Sequence, residues 1–140
     1  METIVPVERT LTPSDHLRVQ RLLAQQPDAG ACDSLHEVLV ASDVLAAASP
    51  VPVSLVTLGS RVLLQDTARE VAPYQLTLCE PQDARPAQGW ISVLSPVGAS
   101  LLGLRAGQVA RWRTPSAREG AALIVSVLFQ PEAAPEAKAR

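Results

Sequence analysis

The sequence predicts an α+β fold, in which two N-terminal helices precede a sheet that carries one further short helix. Apolar residues recur at helical spacing from Leu35 to Ala46, whereas alternation at every second residue begins after Pro52. Pro50 and Pro52 form a stiff, extended joint between the two patterns. The third observation is a helix signal in residues 95–107, enclosed by two alternating stretches.

Residues 95–107 contain residue types that typically begin and end a helix. Ser95 suits the N-cap and Pro96 the first helical position, where the missing N–H costs nothing. Gly103 or Gly107 can supply the left-handed residue that ends it. The alternating residues 90–94 and 108–112 predict a strand on each side.

The composition limits the functions open to this chain. Of its 140 residues 47% are hydrophobic, which is ample for a core. The chain is predicted to form one domain plus an appendage, or two very small units. The formal net charge of −2 gives no broad positive field, so we expect no direct binding to nucleic acid.

Cysteine usage and the N-terminal residues predict a cytoplasmic protein without metal or cofactor. Cys32 and Cys79 lie far apart and have no His or Cys at ligand spacing, so we expect free thiols rather than a zinc site. Residues 1–6 lack the basic and apolar regions of a signal peptide, and no apolar run is long enough to predict a transmembrane helix.

The first helix is predicted to follow a partly mobile leader, residues 1–11, and to run to about Gln25. Thr12 suits the N-cap, Pro13 the first turn, and Asp15 the reciprocal capping-box bond. Residues 26–30 break this helix.

A second helix is predicted from an N-cap at Ser34, with Glu37 as its capping-box partner, until residues 47–52 end it. Two amphipathic helices joined by a short turn predict an antiparallel hairpin, although two ordinary core helices would give the same pattern.

The remainder predicts a small antiparallel sheet domain. Residues 53–65 are rich in Val and Leu, with Gly59 as a kink or bulge, and residues 74–78 alternate. Residues 121–129 have few polar breaks, which favours a central strand buried on both faces. The predicted units are residues 1–50, residues 53–132 and a disordered tail, residues 133–140.

Four segments carry a resemblance to a known family: residues 23–30, 56–62, 91–107 and 127–132. Over roughly residues 11–132 the chain resembles the Gre-type transcription factors, and within them the branch of nucleoside diphosphate kinase regulators. The resemblance implies an N-terminal antiparallel helical hairpin followed by an FKBP-like domain. It also implies binding to RNA polymerase, with that domain at the rim of the secondary channel and the hairpin pointing into the channel.

The resemblance places the polymerase contact at the corner where a strand becomes a helix, at Leu94, Ser95, Pro96 and Val97. Gre-type factors often carry an acidic residue just before this corner. Leu94 stands there instead, which implies an apolar or weaker contact. Helix capping alone would also explain Ser95 and Pro96.

In the cleavage-stimulating members, acidic residues at the hairpin tip help to hold a catalytic Mg²⁺ of the polymerase. The carboxylates near the predicted turn are Asp28, Asp33 and Glu37, and turn formation or helix N-terminal charge would also explain the two aspartates. A first helix of about a dozen residues spans only ~18 Å, which resembles the short hairpin of the kinase regulators. We therefore expect a non-catalytic polymerase-binding regulator that does not stimulate transcript cleavage.

The alternatives are an interaction module with another target, or a true cleavage-stimulating factor. A prolyl isomerase needs a pocket walled by several aromatic rings, and only 3% of the residues are aromatic. His16 and His36 lie in the predicted hairpin, away from any Ser or Cys in a nucleophile setting, and no phosphate-binding glycine loop is present.

Overall fold

The computed structural model describes residues 8–26, 33–113 and 118–132, and within these it has an α+β fold. Its helices are α1 (Pro13–Ala24), α2 (Asp33–Ala41) and α3 (Pro96–Leu101). Its strands are β1 (Thr10–Leu11), β2 (Asp43–Val44), β3 (Arg61–Asp66), β4 (Tyr74–Cys79), β5 (Trp90–Ser92), β6 (Val109–Arg113) and β7 (Glu119–Phe129). The predicted tail, residues 133–140, lies outside the described residues.

The main sheet is mixed rather than antiparallel as predicted. Its strand order is β5-β4-β3-β7-β6, and β4 and β5 run parallel, with Thr77 opposite Trp90 and Cys79 opposite Ser92. A parallel pair needs a connection that returns along the strands, because a tight hairpin can join only antiparallel neighbours. Residues 80–89 make this return through two short 3-10 helices, Pro81–Asp83 and Pro86–Gln88.

The predicted caps of α3 are present. The Ser95 hydroxyl accepts the Gly98 N–H at 3.1 Å, and Pro96 occupies the first turn. Gly103, with φ of +84°, follows the last turn in the left-handed conformation.

The N-cap of α1 is also confirmed, but the capping box is not. The Thr12 hydroxyl accepts the Asp15 N–H at 3.0 Å. The Asp15 carboxylate does not return to Thr12; its Oδ2 accepts the Leu58 N–H at 3.0 Å. Asp15 is fully buried at this contact, so its partner is set by tertiary packing rather than by the first turn of its own helix.

Helix α2 starts earlier and ends earlier than its pattern predicts. It begins at Asp33, so Ser34 lies inside the helix rather than at its N-cap, and it ends at Ala41. Leu45 and Ala46, predicted as helical, follow β2. The Asp43 N–H donates to Arg9 O at 3.0 Å and the Leu45 N–H to Leu11 O at 2.8 Å, so pairing with β1 replaces further helical turns.

Residues 8–11, predicted as part of a mobile leader, are bonded to the sheet domain. Beyond the pairing of β1 with β2, the Thr10 N–H donates to Gly103 O at 3.0 Å. The Arg9 guanidinium donates to Leu102 O at 2.7 Å and Ser100 O at 3.1 Å, which satisfies carbonyls at the C-terminal end of α3. Burial lowers the pKa of Arg9 from its ordinary value.

One cluster of buried aliphatic side chains joins the helices to the sheet. Val19 and Leu22 of α1 and Leu35 and Val38 of α2 belong to it. So do Val56, Leu58, Val62, Leu64, Leu78, Leu101, Leu102, Leu104 and Ile124. The division into residues 1–50 and 53–132 stays a prediction.

Two strand predictions need correction. Within residues 53–65 the strand begins only at Arg61, because Gly59 turns the chain with φ of +92°. Strand β7 lies inside the sheet between β3 and β6 as predicted, but it is not buried on both faces. Val125, Leu128 and Phe129 are exposed, and the pairing with β3 is irregular opposite Arg61 and Val62, at the end of β7.

Candidate partner-binding surface

The corner between β5 and α3 is a compact turn built by two serines. The Leu94 N–H donates to Ser92 Oγ at 3.0 Å, and the Ser95 N–H donates to Ser92 O at 3.0 Å. The Ser95 hydroxyl also donates to Ser92 O at 2.7 Å while it accepts from Gly98. Its only proton is therefore engaged inside the turn, and its two hydrogen bonds hold the corner.

Gly98 allows α3 to approach the end of β5. A Cβ built at Gly98 would lie 2.0 Å from Ser92 O and 2.8 Å from Ser92 C, which is far inside van der Waals contact. The need for this glycine explains the sequence Ser-Pro-Val-Gly at residues 95–98: a cap, a first-turn proline and a close backbone contact follow one another.

Each of the other predicted corner residues lies partly in the core and partly at the surface. Leu94, Pro96 and Val97 are all half-buried, and Leu94 and Val97 pack against the central cluster. A partner can reach the outer parts of these side chains, and the contact they offer is apolar.

A cleft of about 750 Å³ opens beside Pro96, between α2, α3 and the β6–β7 pair. Its walls include Glu37, Val38, Pro96, Arg111 and Trp112. We call it the Pro96 cleft. It brings together two residues predicted for separate sites, Glu37 of the hairpin and Pro96 of the corner.

The remaining hairpin residues are only partly placed. Asp28 lies outside the described residues. Asp33 is the first residue of α2. Glu37 is exposed one turn further along that helix.

A second cavity, of about 510 Å³, lies where α1 meets the residues that follow β4 and β7. Arg18, Glu80, Asp83, Trp90 and Glu132 are among its lining residues, and we call it the acidic pocket. Arg18 Nη2 lies 3.1 Å from Glu80 Oε2. Sequence reasoning missed this pocket, because its lining residues come from four separate segments of the chain and share no motif.

Asp15 contacts two residues of the acidic pocket, Leu58 and Arg18, and its pKa is strongly perturbed. Its Oδ1 lies 3.7 Å from Arg18 Nη1 and has no hydrogen-bond donor among the described residues. Burial, followed by the nearby charge of Glu132, raises the pKa of Asp15 to about 7. The Leu58 N–H and Arg18 act in the opposite direction but do not offset burial.

Comparison with known proteins identifies the family. A family model described as the C-terminal part of the transcription elongation factors GreA and GreB matches residues 51–128, more than half of the chain. The chain belongs to the GreA/GreB family of transcription elongation factors. The resemblance seen in the sequence is therefore confirmed.

This GreA/GreB-family chain is also similar to curated relatives and to a solved structure. It is 31% identical over 122 residues to the "Regulator of nucleoside diphosphate kinase" of Escherichia coli (strain K12), covering 86% of this chain and 88% of the relative. The protein of that name from Shigella flexneri matches equally. The structure of a prokaryotic transcription elongation factor GreA/GreB from Nitrosomonas europaea matches with a TM-score of 0.69 and 28% identity, over 89% of this chain and 100% of that one.

Two further findings bear on the chemistry open to this GreA/GreB-family chain. Among the described residues, no three His, Cys, Asp or Glu side chains are grouped so that they could hold a metal ion. None of the described helices is long and apolar enough to cross a membrane.

Proposed function

We propose that the chain is a non-catalytic transcription regulator that binds RNA polymerase at the rim of the secondary channel and does not stimulate transcript cleavage. In this proposal α1 and α2 form a short antiparallel hairpin, residues 1–50, and residues 53–132 form an FKBP-like anchor domain. The protein would act in the cytoplasm, where polymerase works.

The observation that carries the proposal is the length and packing of the two helices. Helix α1 has 12 residues and α2 has 9, so each spans less than ~20 Å. The buried cluster that contains residues of the sheet also contains the apolar residues of both helices, Val19, Leu22, Leu35 and Val38. Such an arm is too short to carry carboxylates to a distant catalytic Mg²⁺, whereas it can occupy the mouth of a channel.

The corner supports the anchoring part of the proposal. Ser92, Ser95 and Gly98 lock its backbone, so the outer surfaces of Leu94, Pro96 and Val97 are presented in a fixed shape. A preorganised apolar contact loses little conformational entropy on binding.

Affinity measurements with core RNA polymerase test the anchor. Ser95→Asp keeps an N-cap acceptor for Gly98, but it removes the hydrogen bond to Ser92 O and puts a charge into the corner. Pro96→Ala removes the ring that borders the Pro96 cleft. We expect Ser95→Asp to weaken binding about tenfold or more and Pro96→Ala to weaken it by less. The matched control, Ala72→Asp, adds the same charge on an exposed loop before β4 and should bind like the parent.

A competing secondary-channel factor distinguishes this proposal from an interaction module with another target. Binding that the competitor removes, and that Ser95→Asp weakens, supports the rim site. Binding that neither affects would contradict it.

A further inference from the structure

Strand β6 forms one edge of the main sheet. In the strand order β5-β4-β3-β7-β6 it comes last, and β7 is its only neighbouring strand among the described residues. In an antiparallel pair only every second residue exchanges hydrogen bonds with the partner strand, and the residues between them turn their N–H and C=O groups away. Half of the backbone groups of β6 therefore point out of the sheet.

The hydrogen bonds around β7 determine which residues of β6 these are. The Ile124 N–H donates to the carbonyl of Gln108, directly before β6, at 2.9 Å, so the bonded set continues from Gln108 at every second residue. The Ala121 carbonyl accepts the Thr67 N–H at 3.2 Å, so it is turned away from Arg111, its opposite residue in β6. The outward N–H and C=O groups are those of Val109, Arg111 and Arg113. None of them has a hydrogen-bond partner among the described residues.

The Pro96 cleft runs beside this edge. Arg111, Trp112 and Arg113 line it from β6, and Pro96 and Ala99 line it from α3. Trp112 packs against the central cluster on the inner face of the sheet, whereas Arg111 is exposed. Since side chains alternate between the faces of a sheet, a strand added to β6 would place every second side chain in the cleft. The walls formed by Pro96, Ala99 and Trp112 favour apolar side chains there.

The charges along the edge favour an acidic strand. Arg111 makes no hydrogen bond or ion pair with any described residue, whereas Arg113 is bonded to Glu119. In an added strand, an acidic side chain opposite Arg111 would stabilise the pair, and a basic one would destabilise it. Pairing with a second copy through the same edge is disfavoured, because two of the three outward-facing residues are arginines.

We propose that the edge of β6 binds an extended segment of a partner protein in which acidic and apolar residues alternate. The backbone of the segment bonds to Val109 and Arg111, its acidic side chains lie beside Arg111, and its apolar side chains enter the Pro96 cleft. Addition of an extended peptide to an exposed sheet edge is a recurrent mode of recognition. The inference goes beyond the proposed function, because nothing in it requires that the partner be polymerase.

Hydrogen exchange on the full chain tests the pairing at single residues. The probe is the peptide acetyl-Thr-Val-Glu-Val-Glu-Val-Thr-amide, and proton–nitrogen NMR follows the exchange. At ten times its dissociation constant, the peptide should slow exchange at the Arg111 amide about tenfold. The exposed amide of Glu70 should not change. Protection of Arg111 in the protein alone, rising with protein concentration, would assign the edge to a second copy and overturn the proposal.

Methylated peptides separate backbone pairing from charge attraction. Methyl groups on the backbone nitrogens of the two glutamates, or on those of the three valines, remove alternate N–H groups of the probe. Only one of these two sets can face β6 in a paired strand. One methylated peptide should therefore bind at least tenfold more weakly, and the other should keep its affinity within about threefold. Equal affinities of the two would overturn the proposal.

Paired variants locate the binding. In 0.1 M salt, where the Debye length is ~10 Å, Arg111→Gln should weaken binding of the unmethylated peptide about threefold. The matched control Arg61→Gln removes an exposed arginine two strands away and should change the affinity by less than about 1.5-fold. Equal weakening by the two variants, or no saturable binding to the parent, would overturn the proposal. Since polymerase is absent from these experiments, their failure would leave the proposed function untouched.

Discussion

The hydroxyl of Thr12 joins the first turn of α1 to the residues that follow β7, because it donates to Glu132 Oε2 at 2.9 Å while it caps the helix by accepting from Asp15. Two distant parts of the chain thus meet at one buried atom. A second bond from the end of β7 reaches the joint before the sheet domain, since Gln130 Nε2 donates to Pro52 O at 2.7 Å. The N-terminal helix is held to the sheet domain by polar bonds as well as by the apolar core.

Thr12→Val tests this junction, because it keeps the shape of the side chain and removes both hydrogen bonds. We expect the free energy of unfolding to fall by about 2 kcal/mol, the size of a lost cap with a buried donor left unpaired. Urea denaturation followed by circular dichroism measures it. Thr12→Ser keeps the hydroxyl and should lose less than half as much; equal losses would show that the hydroxyl is not what matters.

Asp15 predicts a dependence of stability on pH. Its folded pKa of about 7 lies above the ordinary value of 3.8, so the folded state binds a proton more tightly than the unfolded chain. The contribution of Asp15 to the free energy of unfolding is therefore fully present below about pH 4 and is lost as the pH rises through 7. In this range the free energy of unfolding falls by up to ~1.4 kcal/mol per pH unit.

The variant Asp15→Asn isolates this effect, because the amide can still accept from Leu58 but does not titrate. The free energy of unfolding of the parent, measured between pH 4 and 8, should fall relative to that of the variant. Parallel curves would contradict the assignment. The charges of Arg18 and Glu132 both act on Asp15. Arg18→Gln should therefore raise the pH at which half of this stability is lost, and Glu132→Gln should lower it.

We expect a glycine to be required at position 98 because of the space around it and not because of its backbone conformation. Gly98→Ala would place a methyl group 2.0 Å from the carbonyl oxygen of Ser92, so α3 must move or the strand end must open. We expect a loss of about 3 kcal/mol or more. Gly107→Ala is the control: nothing lies within 4 Å of its Cβ, but φ is +96°, so only about 1 kcal/mol of backbone strain is expected. Thermal unfolding of the two variants compares them directly.

The sequence predicted well those features that neighbouring residues determine. The caps at Thr12 and Ser95, the proline first turns and the left-handed Gly103 are local chemistry, and each is present. The corner residues followed from the same local signals and from the family resemblance.

The features that were missed depend on residues far apart in the chain. Helix α2 stops at Ala41 because residues 43–45 bond to β1, which no helical pattern in α2 can show. Asp15 binds Leu58 rather than its own first turn. The parallel β4–β5 pair and the acidic pocket likewise arise only when residues 80–89 return alongside the sheet.

The most direct test of the proposed function uses a backtracked RNA polymerase complex with a radiolabelled transcript. Added alone at stoichiometric concentration, the protein should leave the transcript uncleaved. Added before a Gre-type cleavage factor, it should slow the cleavage which that factor stimulates, and the Ser95→Asp variant should slow it far less. Clear cleavage by the protein alone, or no effect on the cleavage factor at saturating concentration, would contradict the proposal.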